Sequence, residues 1–202
     1  MLQPRPAVLG GLLALCVAMR LTPWVLSHFG LSIDPATTTY PWNFSPFLAV
    51  SLFGGAHLAH RRWSFAVPLG AFLLGDLGIW ALTGRLDYAF YPGQIFVYGS
   101  VALTVTLGLT LRKRQSAMAI GGAGLLSACL FFVITNFGVW AVGDGIRYPL
   151  NIAGLTECYV LAIPFFRNSL IAMALFCPLL FSSLALRWTE TELQPARVVA
   201  FH

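Results

Sequence analysis

Charged residues are scarce in this 202-residue chain. Only 9% of the sequence is Asp, Glu, Lys or Arg, whereas 58% is apolar. Soluble domains average about 25% charged residues, so a soluble protein of this size could not cover its surface. Disordered chains are rich in charge and poor in apolar residues, which excludes disorder as well. The composition therefore predicts an integral membrane protein.

The sequence motifs of several chemistries are also missing. There is no CxxC pair, no HExxH, no GxSxG and no phosphate-binding glycine loop, so zinc, thiol-redox, hydrolase and ATP-binding sites are not indicated. We expect no enzyme activity, no metal and no cofactor. The net charge of +5 comes from short basic bursts between apolar stretches. Such bursts are typical of topology signals and do not predict nucleic-acid binding.

Apolar stretches long enough to cross a bilayer recur along the chain, and a span needs about 20 residues. They predict an all-α integral membrane protein, a single domain over residues 1–202 with six transmembrane helices. The predicted spans are approximately 6–26, 45–59, 63–82, 94–111, 116–142 and 164–186.

Basic residues between the spans predict the orientation. One side of the membrane holds eight of them and the other side holds only Arg85 and Arg147. Because Lys and Arg are retained in the cytoplasm, both termini are predicted to be cytoplasmic. The eight are Arg5, Arg61, Arg62, Arg112, Lys113, Arg114, Arg187 and Arg197.

Charged residues inside the spans are costly and usually mark a site or a partner. Asp76 lies inside the third span, Arg20 near the outer end of the first, and Arg167 near the start of the sixth. A buried Asp needs a cation or a strong donor, so Asp76 is expected to pair with Arg20 or Arg167. A structural pair, direct ligand contact and a proton relay all remain open for Asp76.

Small residues recur every four positions on the first span, at Gly10, Ala14 and Ala18. Such a stripe lets another helix approach closely. It is interpreted either as packing within the bundle or as docking of a partner protein. On the opposite side of the membrane from most basic residues, the connections are long and aromatic, and the third is predicted to run from 143 to 163.

Several segments carry a family resemblance. The chain from 40 to 186 resembles a family of uncharacterised bacterial six-helix membrane proteins, and its layout is similar to that of the substrate-binding S components of energy-coupling-factor (ECF) vitamin transporters. The segments are Asn43-Phe44-Ser45-Pro46, Leu52-Phe53-Gly54-Gly55, Thr135-Asn136-Phe137-Gly138-Val139-Trp140, Tyr148-Pro149, Gly154-Leu155, Cys158-Tyr159 and Ile163-Pro164-Phe165-Phe166-Arg167-Asn168.

That resemblance implies a pocket capped by outer loops and a transmembrane coupling protein, with ATPase subunits, that docks on Gly10, Ala14 and Ala18. The histidine-rich N-terminus of nickel or cobalt binders is absent, so a metal substrate is not expected. The resulting hypothesis is a membrane subunit or small transporter that takes up a small organic, vitamin-like molecule from the outer face. The alternative is a non-transporting structural or assembly subunit. Predicted substrate-binding residues are Trp42, Asn43, Asp76, Asn136, Trp140, Tyr148, Tyr159, Arg167 and Asn168.

Overall fold

A computed structural model describes residues 2–31, 43–113 and 115–188. Almost all of the regular structure in these ranges is helical. In chain order the elements are strand β1 (Leu2–Pro4), helices α1 (Pro6–His28), α2 (Phe47–His57), α3 (Arg61–Thr83), α4 (Leu86–Ala89), α5 (Gln94–Thr110), α6 (Ala117–Ala141) and α7 (Ile152–Leu180), and strand β2 (Leu186–Trp188).

Five helical segments of the described ranges are long and apolar enough to cross a membrane. At most 33% of the most apolar window of any of them is buried within the bundle, so apolar side chains face outward, as contact with lipid requires. This is the architecture of a multi-pass helical membrane protein. The segments are Pro6–His28, Arg61–Thr83, Leu86–Thr110, Ala117–Ala141 and Ile152–Leu180.

The stretch predicted as a second span, 45–59, forms a short central helix instead. Helix α2 has 11 residues, about 16 Å at 1.5 Å per residue, whereas the hydrocarbon core is about 30 Å thick. Every residue from Phe47 to Ala56 is buried. The long helices follow one another around α2 in the order α1, α3, α5, α6, α7, and each of them contacts it.

Glycine brings α2 against the backbone of α5. A Cβ on Gly55 would collide with the carbonyl oxygen of Val105 and would lie 2.8 Å from the Cα of Gly108. A Cβ on Gly108 would likewise lie 2.9 Å from the Cα of Gly55. Both positions are therefore restricted to glycine by the close approach of the two helices, as at other small-residue helix crossings in membranes.

Arg112, just after α5, holds the end of α2. Its Nε donates to the carbonyl of Gly55 at 2.9 Å, and one terminal nitrogen donates to the carbonyl of Leu58 at 2.7 Å. The last carbonyls of a helix have no partner within the helix, so Arg112 supplies donors that α2 itself cannot. This contact fixes the short helix at one end of the bundle.

Helix α7, which corresponds to the predicted sixth span, begins and ends earlier in the chain than predicted from the apolar stretch 164–186. Helix α7 runs from Ile152, not Pro164, because Asn151 caps it: its side-chain oxygen accepts from the amide of Gly154 at 3.0 Å. Pro164 lies within the helix and does not begin it. The preceding connection therefore covers only 142–151. The helix ends at Leu180, and residues 186–188 form β2.

One end of the bundle collects basic residues. Strands β1 and β2 pair antiparallel with Gln3 opposite Arg187, and Arg5 Nε donates to the carbonyl of Leu186 at 3.4 Å. The start of α3, with Arg61 and Arg62, and Arg112 lie at this same end, which we call the basic end. Arg114 and Arg197 lie outside the described residues. The cytoplasmic placement of this end remains a prediction.

Candidate functional site

The short length of α2 leaves space in the other half of the bundle. The ring of Phe47, at the start of α2, lies 4.9 Å from that of Phe72, and Phe72 is about 16 Å along α3 from its start. Helix α2 therefore begins about halfway along the longer helices. A cavity of about 460 Å³ lies beyond it, away from the basic end, and side chains of α1, α3, α5, α6 and α7 all contribute to its wall.

Aromatic side chains make up much of the cavity wall. They come from α1, α2, α3, α4, α6 and α7 and from the segments before α2 and α5. Phe132 and Phe166 meet at the junction of α6 and α7 with 4.7 Å between ring centroids. The volume falls within the range of about 300–1,000 Å³ that is usual for small-molecule sites. The aromatic lining residues are Trp24, Phe44, Phe47, Phe72, Tyr88, Tyr91, Phe131, Phe132, Phe165 and Phe166.

A buried ion pair supports one wall of the cavity. Asp76 of α3 is fully buried, and Arg20 of α1 donates to its Oδ1 from Nε at 3.0 Å and also from a terminal nitrogen. The guanidinium carbon of Arg20 lies 3.9 Å from the centroid of the Phe72 ring, a cation–π distance. Arg20 itself lines the cavity and Asp76 does not, so the ion pair reaches the cavity wall through the arginine.

Two residues of α5 complete the coordination of Asp76. The amide of Gln94 and the hydroxyl of Tyr98 both donate to Oδ2, the latter at 2.7 Å. Gln94 and Tyr98 are four residues apart and therefore share a helix face. A Cβ on Gly75 would collide with the Arg20 side chain, so glycine next to Asp76 makes room for the arginine. Asp76 thus ties α1, α3 and α5 together.

The polar groups on the opposite helices are oriented by their own backbones. The Thr135 hydroxyl donates to the carbonyl of Phe131 at 2.7 Å, the Asn136 amide to that of Phe132 at 2.7 Å, and the Ser169 hydroxyl to that of Phe165 at 3.2 Å. All three residues line the cavity. The Thr135 and Ser169 hydroxyls have thereby used their single donor and act as acceptors, whereas Asn136 keeps a second N–H beside its carbonyl acceptor. Ser45 and Asn43 supply further polar surface.

Of the predicted substrate-binding residues, Asn43 and Asn136 lie in the cavity wall. Asn43 has φ of 61°, a left-handed conformation that asparagine tolerates better than most residues. Asp76 lies behind Arg20. Trp42 lies outside the described residues.

Other predicted residues lie near the ends of α6 and α7, outside the set of described residues that line the cavity. Trp140 Nε1 donates to the carbonyl of Pro149 at 3.0 Å, and the Tyr159 hydroxyl donates to that of Val133 at 2.8 Å. Tyr148 lies next to Arg147, whose guanidinium carbon is 5.5 Å from its ring centroid. The first contact fastens the short 142–151 connection to α6, and the second joins α6 to α7 directly.

Arg167 and Asn168 belong to α7 but do not line the cavity, although the two residues before them do. Arg167 is exposed on the outer surface. The predicted docking stripe is also outward-facing: Gly10, Ala14 and Ala18 are all exposed, and a Cβ on Gly10 would meet nothing within 4 Å. The stripe therefore does not pack within the described part of the bundle.

Sequence reasoning did not select several residues of the site. Gln94 and Tyr98 could have been found from their i, i+4 spacing, and the aromatic pairs at 131–132 and 165–166 from their position inside apolar spans. No three His, Cys, Asp or Glu side chains of residues 2–31, 43–113 and 115–188 come together as a metal ion would require.

Comparison with known protein families identifies the chain as a member of one of them. Residues 1–196 match the model of a family described as "Family of unknown function (DUF6580)". No curated protein and no solved structure matches the chain significantly. Since the match extends over nearly the whole chain, the protein belongs to this family of unknown function.

Proposed function

We propose that the protein is a substrate-binding membrane subunit, or a small transporter, that takes a small organic molecule into the cavity above α2. The observation that carries this proposal is the cavity itself: about 460 Å³, surrounded by five helices and lined by aromatic rings with a few polar groups. Small-molecule sites have this combination of an apolar wall and a few placed polar contacts. The cavity lies in the half of the bundle away from the basic end, so entry is from the outer face.

The lining favours a flat, largely apolar ligand. Phe72, Phe132 and Phe166 present rings that stack on an aromatic or heteroaromatic molecule. Thr135, Asn136 and Ser169 offer acceptors for an N–H or O–H of the ligand, and Arg20 offers a donor on a different helix. Because Arg20 is already neutralised by Asp76, the ligand needs no full negative charge.

The energy for uptake comes from a partner or an ion gradient, because the sequence has no ATP-binding loop. The S-component-like layout favours a transmembrane coupling protein with ATPase subunits. The outward-facing stripe of Gly10, Ala14 and Ala18 is the surface we assign to that partner. In this arrangement both termini face the cytoplasm, and the protein resides in the inner membrane of a bacterium.

The same stripe favours the second candidate, a non-transporting assembly subunit. In that case the outward face of α1 would be the functional surface, and the cavity would hold only lipid or detergent. The two candidates differ in one measurable property, which is whether a small molecule binds in the cavity.

Mass analysis of molecules that copurify with the protein tests the proposal. We expect native mass spectrometry of the gently purified protein to show one bound small molecule. Ser169→Phe, which fills the cavity from α7, should reduce its occupancy by about tenfold. Leu175→Phe, on the exposed side of the same helix, should leave it unchanged. Only lipid or detergent in the wild-type protein, or equal occupancy in both variants, would reject the proposal.

A further inference from the structure

Arg167 is an exposed charge near the middle of a membrane helix. It lies about 22 Å along the axis of α7 from Ile152 and about 20 Å from Leu180. The buried residues of α7 include Ala162 and Ser169. At 3.6 residues per turn Arg167 points about 140° away from the first and about 160° away from the second. It therefore lies on the side of α7 that faces away from the bundle.

The surroundings of Arg167 are apolar. Ile163 and Ile171, one turn before and one turn after it, are 54% and 51% exposed. Among the described residues the ion pairs are Arg20 with Asp76 and Arg85 with Asp87, and Arg167 takes part in neither. The outer face of α7 at this depth is thus an apolar surface with one positive charge, defined by Ile163, Arg167 and Ile171.

The hydrocarbon of lipid alone can neither solvate nor neutralise such a charge. Arginine side chains near the ends of membrane helices reach the headgroups, but α7 is about 43 Å long and Arg167 is near its centre. Charges at such depth usually face a partner. No described carboxylate pairs with Arg167, so we infer that its counter-charge lies outside the described part of the chain.

We propose that this outer face of α7 docks a membrane-spanning helix of a different protein, one with an Asp or Glu carboxylate that pairs with Arg167. A second copy does not fit. The acidic residues within the five long apolar helical segments are Asp76 and Asp87, which are already paired, and Glu157. Glu157 lies about 15 Å from Arg167 along α7. Because equivalent residues lie at equal depth in a symmetric pair inserted in one direction, Glu157 of a second copy would not meet Arg167. The proposal does not depend on ligand binding in the cavity.

The test uses the full-length protein in phosphatidylcholine vesicles with a synthetic membrane-spanning Leu/Ala peptide as the probe. One peptide has a single central Asp and the control peptide has Asn. Energy transfer between labelled protein and peptide should show about tenfold stronger association with the Asp peptide. Arg167→Gln should abolish this preference, Arg167→Lys should keep most of it, and Glu157→Gln should not change it.

Three outcomes would overturn the proposal. The first is equal association of the Asp and Asn peptides with the wild-type protein. The second is a preference for the Asp peptide that remains in a normally folded Arg167→Gln variant. The third is an Arg167-dependent enrichment of added phosphatidylglycerol around the protein without any preference for the Asp peptide, since Arg167 would then serve a lipid phosphate.

Discussion

Arg20 of α1 donates from Nε to Oδ1 of Asp76 on α3 at 3.0 Å, and Arg20 is itself one of the residues that line the central cavity. One buried carboxylate thus positions a cation in the wall of the proposed binding site. The same carboxylate joins three helices through Gln94 and Tyr98. The stability of the bundle and the shape of the cavity are therefore coupled at this point.

Breaking this pair is expected to destabilise the protein strongly. Removing one partner of a buried ion pair costs about 3–5 kcal/mol, because the other charge remains buried without compensation. Asp76→Asn and Arg20→Gln should each lower the free energy of unfolding in detergent by an amount of this order. The double variant should lose much less than the sum of the two, because the partners interact directly. Additive losses would show that the two residues act independently.

Gly55 is expected to tolerate no side chain, whereas its neighbour Gly54 should. A Cβ on Gly55 would meet the backbone of α5, but a Cβ on Gly54 would lie 3.5 Å from Leu58 Cδ1, an ordinary contact. Overpacking of a tight contact costs about 1–3 kcal/mol. Thermal unfolding should show this loss for Gly55→Ala and little change for Gly54→Ala. Equal stability of the two variants would contradict the close crossing of α2 and α5.

Arg112 is expected to stabilise the end of α2. Arg112→Gln removes hydrogen bonds to the carbonyls of Gly55 and Leu58 and should cost about 1–3 kcal/mol, chiefly at Gly55, which is the buried one of the two. Arg112→Lys should not restore the loss fully, since a single ammonium does not reproduce the fork of donors. Lys113→Gln, an exposed neighbour, serves as the control in the same unfolding assay and should change little.

The orientation can be tested from the two ends of the bundle. Single cysteines at Ile146, which is 85% exposed in the 142–151 connection, and at Lys113 are placed in a protein otherwise without cysteine. In intact cells a membrane-impermeant thiol reagent should label Ile146→Cys and leave Lys113→Cys unlabelled. The reverse pattern would mean that the basic end faces outward.

The sequence predicted the helical membrane class. It also named Arg20 as one of two candidate partners of Asp76, because a charged side chain inside a membrane span usually pairs with an opposite charge. It did not predict the start of α7. Pro149, Gly154 and Pro164 indicate a loop by local propensity, but the Asn151 cap and the surrounding bundle keep the segment helical, and membrane helices tolerate internal proline.

The length of α2 and the cavity above it were not predictable from local patterns. The stretch 45–59 is apolar throughout, so hydropathy cannot distinguish a lipid-facing span from a short helix buried on every side. Its burial depends on Gly55 meeting Gly108 and on Arg112 reaching Leu58, contacts between residues more than 50 positions apart. Such pairs become visible only in the folded chain.

The reactivity of Cys16 is the most direct test that the space above α2 is an accessible chamber. Cys16 and Cys177 both belong to the hydrophobic core and are both 5% exposed, but only Cys16 is among the residues that line the cavity. In variants that retain only one of them, a small neutral thiol reagent should modify Cys16 at least about tenfold faster than Cys177, and filling the cavity with Ser169→Phe should remove the difference. Equal, slow modification of both cysteines in the unfilled protein would show that the chamber is closed and would contradict a binding role.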